Sequence, residues 1–394
     1  MKESLFNYRF EYENQKYIFN TNNNGLIQIN NDIFTEEERE YLRVNRFWVD
    51  DNEDEIALLE REINHNIQKR QKELELTIAL TNYCNFSCVY CYQNKNEKLM
   101  TTEVANMIIE KIDRILNDNI FEGINIHYFG GEPLLNIPVL IYLDENIKKI
   151  TDKIGIVYKA FLTTNGSMLS KELLQKVKFS SIQITFDGLE KTHDRLRVSD
   201  HFHFKEEIEL IENIMNFSQA KVLLRTNICK ENKDEIIALH KYIFEKFGNE
   251  RIEINPNRTI KYHQDDSFEM LSVQEYAEVA YQIKLLWSEQ KGKFELPVPR
   301  STPCKFPYGN AYAISPEGYC TFCSGSMDQE KKYFFDVDIE NKKMFSVRKE
   351  CKKCNILPLC LGGCIIQYNL RAGACTYEKY ELKNILISYI KHIS

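Results

Sequence analysis

An α/β fold built around a parallel sheet is what this sequence predicts, and three features predict it. Six short runs rich in aliphatic and β-branched residues recur at 74–80, 124–129, 156–162, 182–186, 222–226 and 252–254. Between them lie amphipathic stretches: Val104, Ile108, Ile112 and Ile115 mark one face over 102–116, and similar patterns occupy 170–177, 204–217 and 234–247. Strands joined by crossovers of that length pair in parallel. The third feature is bulk: 394 residues, 43% hydrophobic and 28% charged, suffice for two or three domains with a large core and exclude wholesale disorder. Six such units either curl into an incomplete barrel or lie open as a doubly wound sheet, and periodicity fits both. In either case ligands belong at the carboxyl ends of the strands.

Before the repeats, Phe10, Tyr12, Tyr17, Phe19, Ile27 and Ile29 alternate with polar residues, and Asn24-Gly25 supplies a tight turn, so a small strand module is expected. Thr35, with Glu38 three residues on, forms a capping box that opens a helix. The acidic run Asp50, Asp51, Glu53, Asp54, Glu55 leads into a second helix carrying Ile56, Leu59, Ile63 and Ile67 on one face, a solvated start favoured by the helix dipole. Another helix is expected over 274–290, and Pro297, Pro299 and Pro303 then break regular structure. These signals divide the chain into an N-terminal module (1–72), the repeating region (73–297), a loop-rich segment (298–380) and a C-terminal helix (381–394).

Fifty-one Lys plus Arg against fifty-eight Asp plus Glu leave a net charge of −7, which argues against a general binder of nucleic acid or anionic membranes. The start, MKESLFNYRF, lacks the apolar stretch of a secretory signal, and no run of eighteen apolar residues follows, so a cytoplasmic protein is expected. Twelve cysteines in such a chain point to metal rather than to disulfides. Eleven of them fall in an early and a late group; Cys229 stands alone between, and its place after the fifth strand predicts a buried thiol.

The early group, Cys84, Cys88 and Cys91 in TNYCNFSCVYCYQ, directly follows the first repeating strand. Three thiolates from one loop leave a [4Fe–4S] cluster with one open iron, a catalytic design, whereas structural zinc wants four closed ligands and would need Cys229 or a distant His. Gly130-Gly131-Glu132 follows the second strand, where glycines permit close backbone approach to a ligand and the carboxylate can accept from an ammonium group. Thr163-Thr164-Asn165-Gly166 ends the third strand and Thr185-Phe186-Asp187-Gly188 the fourth, placing hydroxyls and amides at the sheet edge.

The Cys-x3-Cys-x2-Cys spacing, with Tyr90 before the third cysteine, resembles the radical S-adenosylmethionine (radical SAM) superfamily. The resemblance implies a partial (β/α)6 barrel and a SAM-binding cluster. It places the SAM contacts at Tyr90, Gly130, Gly131, Glu132, Thr164, Asn165, Thr185, Asp187 and Arg225, the last with Arg195 and Arg197 as competitors for the cofactor carboxylate. The implied chemistry is reductive cleavage of SAM to a 5′-deoxyadenosyl radical that abstracts hydrogen from an unactivated C–H.

In the late group, Cys304, thirteen residues, Gly318, four residues and Cys323 are followed by Cys351-x2-Cys354-x5-Cys360-x3-Cys364 and then Cys375. This resembles the SPASM extension of the superfamily, which implies two auxiliary [4Fe–4S] clusters, three clusters in all. Carried over, Cys304, Cys323 and Cys364 hold the first, and Cys351, Cys354, Cys360 and Cys375 the second. Cys320, on the second arm of a hairpin expected to turn at Pro316-Glu317-Gly318, is the candidate fourth ligand of the first. On a regular strand it faces away from Cys323, so both reach one cluster only if the strand bends; otherwise that iron is open to a substrate thiolate.

Among SPASM enzymes the expected reading is a maturase that crosslinks a ribosomally made precursor peptide, through a thioether or a C–C bond. Eighty-three residues precede Cys84, and their hairpin-plus-helix pattern resembles leader-binding front ends, with an edge able to pair with an extended peptide. The alternative enzyme is an anaerobic sulfatase-maturing oxidase that makes formylglycine; its relatives carry an Asp after the cysteine equivalent to Cys323, where Ser324 stands here. The non-enzyme alternative is a multi-cluster electron carrier, which has no use for the Gly-Gly-Glu segment. A flavodoxin or ferredoxin is the expected reductant, with no nucleic-acid or membrane partner.

Overall fold

The computed structural model describes the whole chain except residues 30–33, 94, 249–250, 262–266, 322, 327–331, 338–343, 365–374 and 394. Parts of the segment expected at 298–380 therefore lie outside the described residues.

In the N-terminal module β1 (Lys2–Glu3) pairs antiparallel with β5 (Trp48–Val49). Strands β2 (Asn7–Tyr12), β3 (Gln15–Asn20) and β4 (Gly25–Ile29) make an antiparallel sheet with β3 in the middle. The β2–β3 turn runs through Glu13 and Asn14 at φ 49° and 60°, the left-handed pair that a two-residue hairpin turn demands. Helix α1 (Glu36–Val44) opens on the expected box, with both the Thr35 and Glu38 side chains capping; α2 (Glu55–Arg70) follows.

The repeats are β6 (Glu73–Ala79), α3 (Thr102–Asp118), β7 (Gly123–Phe129), α4 (Ile137–Ile154), β8 (Val157–Thr163), α5 (Lys171–Lys176), β9 (Phe179–Thr185), α6 (Glu190–Leu196), α7 (Phe204–Phe217), β10 (Lys221–Ile228), α8 (Ile236–Phe247) and β11 (Ile252–Arg258). These six strands lie side by side in chain order, all parallel. A doubly wound sheet reverses order at a switch point; an unreversed order with right-handed crossovers puts every helix on one face, so the sheet is that of a partial (β/α)6 barrel. Strand β11 runs past the expected 252–254 through Pro256 to Arg258; an edge strand tolerates the missing N–H.

Helix α9 (Val273–Lys291) and the short α10 (Lys305–Tyr308) precede β12 (Ala311–Ile314), which pairs parallel to β6 as a seventh strand. The expected hairpin follows: β13 (Tyr319–Thr321) returns antiparallel after Gly318, and β14 (Lys332–Tyr333) ends the sheet. Then come α11 (Leu357–Cys360) and α12 (Glu378–Ile393). No helix among the described residues is long and apolar enough to cross a membrane.

The chain divides into two compact units that are not contiguous in sequence. One comprises Met1–Lys69, Ser272–Tyr308 and Lys343–Ser394; the other, Arg70–Leu271 and Gly309–Lys342. The first unit has shared cores. Phe6, Leu59, Ile63 and Ile67 pack with Phe345, Val347, Leu357 and Leu361, and Cys351 and Cys354 lie against them. Phe10 and Phe19 pack with Ile356, Leu359, Leu382, Leu386 and Ile390. A three-stranded sheet cannot bury its own apolar face, and here α12 and the late-cysteine segment cover it.

In the second unit, fully buried His240 on α8 meets the Thr226 hydroxyl at 3.3 Å, and burial pushes its pKa down to about 3. The unfolded chain therefore takes up that proton first as pH falls. Stability should drop below about pH 6.5, by about 1.4 kcal/mol per pH unit at most, until the folded group titrates. Urea unfolding of wild type and His240→Leu at pH 7 and pH 5 checks this: the variant should lose much less stability over that interval.

Candidate active site

Strand β6 delivers the chain into the early-cysteine loop, whose base is closed by Met100 N donating to Leu80 O (2.9 Å) and Asn82 N to Lys98 O (3.1 Å). The Gly-Gly-Glu segment lies directly against it: Gly131 N donates to Thr81 O (2.8 Å) and Glu132 N to Tyr83 O (2.9 Å). A Cβ on Gly131 would sit 2.1 Å from Tyr83 O, and one on Gly130, at φ 136°, 2.3 Å from Thr81 O. A side chain at either glycine would therefore collide with the backbone of the cysteine loop.

Glu132 is fully buried, and its carboxylate joins two strand ends. It accepts from Leu134 N (2.9 Å), the Thr164 hydroxyl (2.7 Å) and Asn165 N (2.6 Å). Burial raises its pKa and these hydrogen bonds oppose the rise. Three of roughly four acceptor sites are therefore taken by the chain itself, leaving one for an ammonium group. Asn165 Nδ2 in turn reaches Asn85 Oδ1 (2.8 Å) and the Cys84 sulfur (3.8 Å).

A second connection runs from the end of β9. Buried Asp187 accepts from the Tyr90 hydroxyl and from Asn227 N (2.6 Å), and its carbonyl from Asn232 Nδ2 (2.7 Å). Thr185 is paired in register with Arg225 on β10, whose Nε donates to Asn227 Oδ1 (2.9 Å). The competing arginines are engaged elsewhere: exposed Arg195 donates to Glu231 O (3.4 Å), and buried Arg197 to Glu207 (3.3 Å). The structure thus gathers Cys84, Cys88, Cys91, Tyr90, the Gly-Gly-Glu segment, Thr164, Asn165, Thr185, Asp187 and Arg225 about the carboxyl edge of one sheet. Sequence reasoning missed Asn85, Asn227 and Asn232, polar loop residues whose role appears only when separate strand ends meet.

Cys88 sits where burial pushes its thiol up to about 12, against the opposing charge of Arg197; burial raises Cys84 also. Soft thiolates bound to iron are deprotonated by the metal, so these pKa shifts describe the metal-free chain. The donor set fits a cluster of the three-thiolate kind, and a fully buried cation beside it fits a cluster's negative charge. Among the described residues no three His, Cys, Asp or Glu side chains form a single-ion site. Cys229 is fully buried as expected, beside Asn232.

The late cysteines divide between the units. In the second, Cys320 is buried on β13, whereas that strand ends at Thr321; Gly325 N donates to the Cys323 sulfur (3.3 Å) from a turn beyond it. In the first, Cys351 and Cys354 share a turn (Cys354 N to Cys351 O, 3.0 Å), and α11 ends on Cys360, whose sulfur accepts from Gly362 N (3.4 Å). A Cβ on Gly363 would lie 2.4 Å from Thr376 Cγ2, so the Cys375 segment abuts the turn after Cys360. Cys364 and Cys375 are exposed; Cys304, also exposed, lines with Cys351 and Arg348 a cavity of about 230 Å3.

The radical SAM superfamily model matches residues 78–243. Radical SAM cyclopropyl synthase TigE of Paramaledivibacter caminithermalis is 24% identical over 372 residues, 83% of this chain and 76% of that protein. Most other curated relatives are matched over about half their length or less, among them an uncharacterized protein of Methanocaldococcus jannaschii (35% identical over 119 residues, 29% of this chain and 39% of that protein). The fold is similar to that of native anSMEcpe with bound AdoMet and Cp18Cys peptide (TM-score 0.61, 18% identity, 82% of this chain, 98% of that one). It is also similar to Streptococcus suis SuiB bound to precursor peptide SuiA (TM-score 0.56, 14% identity, 94% and 97%). With the three-cysteine loop at the head of a parallel sheet, residues 78–243 form a radical SAM domain.

Proposed function

We propose that this enzyme modifies a ribosomally made peptide, forming an intramolecular crosslink through a thioether or a carbon–carbon bond. The observation that carries the reading is the early-cysteine loop with its open-iron donor set, held by Gly131 and Glu132 at the carboxyl edge of the sheet. When bound, the cluster and SAM supply a 5′-deoxyadenosyl radical. The chain's part is to bind and orient: Glu132, Thr164 and Asn165 hold one side of the cofactor site and Tyr90, Asp187, Thr185 and Arg225 the other, while the barrel excludes water.

Support for a peptide substrate comes from the N-terminal module. The likeness to SuiB, solved with its precursor peptide, extends over 94% of this chain, and that to anSMEcpe over 82%. Strands β2 and β4 are the edges of the module's sheet, and an extended leader can add to such an edge. The late cysteines are read as two auxiliary clusters, Cys304, Cys323 and Cys364 holding the first with Cys320 as its candidate fourth ligand, and Cys351, Cys354, Cys360 and Cys375 the second. A flavodoxin or ferredoxin supplies electrons in the cytoplasm. Formylglycine formation is the second reading, favoured by the peptide-bound anSMEcpe fold and disfavoured by Ser324 after Cys323.

Coexpression with short open reading frames flanking the gene, followed by mass spectrometry, tests this. Loss of two hydrogens from one peptide, assigned by NMR to a thioether, C–C link or ring, is expected; exchange of a cysteine sulfur for an aldehyde oxygen on a sulfatase peptide would contradict it.

A further inference from the structure

Arg197 is a buried cation set opposite a cluster cysteine. Ser87 N donates to Val198 O (2.8 Å) and Val89 N to Leu196 O (3.0 Å), so the two segments run antiparallel and Cys88 falls directly across from Arg197. The guanidinium carbon lies 5.3 Å from the Phe86 ring centroid in the same loop. One of its nitrogens meets Glu207 at 3.3 Å, and Glu207 meets His193 Nε2 at 3.5 Å. His193 Nδ1 accepts from Asp187 N (3.5 Å), and Asp187 accepts from Tyr90, which closes the circuit back onto the cysteine loop. Arg197, His193 and Glu207 are 6%, 1% and 0% exposed.

Within this closed network one donor is left over. Arg197 Nε is buried and has no hydrogen-bond partner. A buried charged N–H without an acceptor is costly, and Cys88 lies directly across the ladder from this residue. An anion at Cys88 satisfies it.

We propose that Arg197 acts on the SAM-binding cluster as a positioning and potential-setting residue, its Nε–H donating to the sulfur of Cys88 and its charge offsetting the electron that the cluster takes up. This rests on the reading of Cys84, Cys88 and Cys91 as cluster ligands. Reduction makes the site more negative by one charge, so a fixed cation and an N–H···S bond in apolar surroundings stabilise the reduced form more than the oxidised one and raise the midpoint potential. Leu196, Phe86 and the partly buried Val89 supply those surroundings.

Potentiometric EPR titration of the anaerobically reconstituted full-length protein tests the assignment. The relevant signal is identified as the one that changes when SAM is added. Because Arg197→Met alone would strand Glu207 as an unpaired buried carboxylate, the informative variant is Arg197→Met/Glu207→Gln. Its midpoint should fall by about 59 mV or more, a tenfold loss in the reduced fraction at fixed potential for a one-electron couple, with iron content unchanged. Arg197→Lys, which keeps the charge without the planar fork, should fall by less. Unchanged midpoints in cluster-loaded variants would overturn the proposal; if the double variant does not fold, an unshifted Arg197→Lys does so alone. Wild-type protein with no SAM-responsive cluster would instead overturn the reading beneath it.

Discussion

Replacing Gly131 by alanine should cost the protein several kcal/mol and its SAM-binding cluster together. The added methyl would meet Tyr83 O at 2.1 Å and Tyr83 C at 2.5 Å, backbone atoms one residue before Cys84. Overpacking against a side chain costs about 1–3 kcal/mol. Here nothing flexible can yield, and the two bonds joining the loop to the segment, Gly131 N to Thr81 O and Glu132 N to Tyr83 O, must lengthen as well, at about 1 kcal/mol each. The cysteine loop would be pushed off the sheet edge. Gly155→Ala is the control: its φ of 85° is unsuited to alanine, but nothing lies within 4 Å, so only a loss of about 1 kcal/mol is expected. Urea unfolding gives the stabilities, and the SAM-responsive EPR signal should vanish in Gly131→Ala while persisting in Gly155→Ala.

Alanine at Cys84, Cys88 and Cys91 together should abolish all SAM-dependent chemistry while leaving the fold in place. The three side chains are only partly buried and sit in a loop, so their removal opens no large cavity. Circular dichroism and urea unfolding should be near wild type. What disappears is the SAM-responsive cluster signal and, with it, any modification of the coexpressed peptide. Any clusters on the late cysteines should survive, because Cys351, Cys354 and Cys360 belong to a unit with its own core of Phe6, Leu59, Ile63, Leu357 and Leu361. Iron analysis before and after the substitutions separates the two populations.

The repeating strands, their crossover helices, the Thr35 capping box and the turn at Gly318 were legible because each is written locally, in period or in turn chemistry. Two things were not. Strand order decides between barrel and open sheet, and it depends on which side each crossover packs. The partnership of α12 with the N-terminal sheet joins residues more than 300 positions apart, such as Phe10 and Leu386, which no local pattern encodes. At the site, the cysteine spacing and the Gly-Gly-Glu segment could be read directly. The close approach of the Thr81 and Tyr83 carbonyls to these glycines could not, because it arises only where two strand ends meet. Arg197 stood out in HDRLR only as an arginine; its burial against Phe86 and Glu207 needed α7 in place behind it.

The most direct test of the account is nucleoside release. Protein reconstituted with iron and sulfide under anaerobic conditions, reduced with dithionite and supplied with SAM, should form 5′-deoxyadenosine, and the Cys84/Cys88/Cys91→Ala protein should form none. Wild-type protein that binds a four-ligand zinc ion at this loop and releases no nucleoside would contradict it.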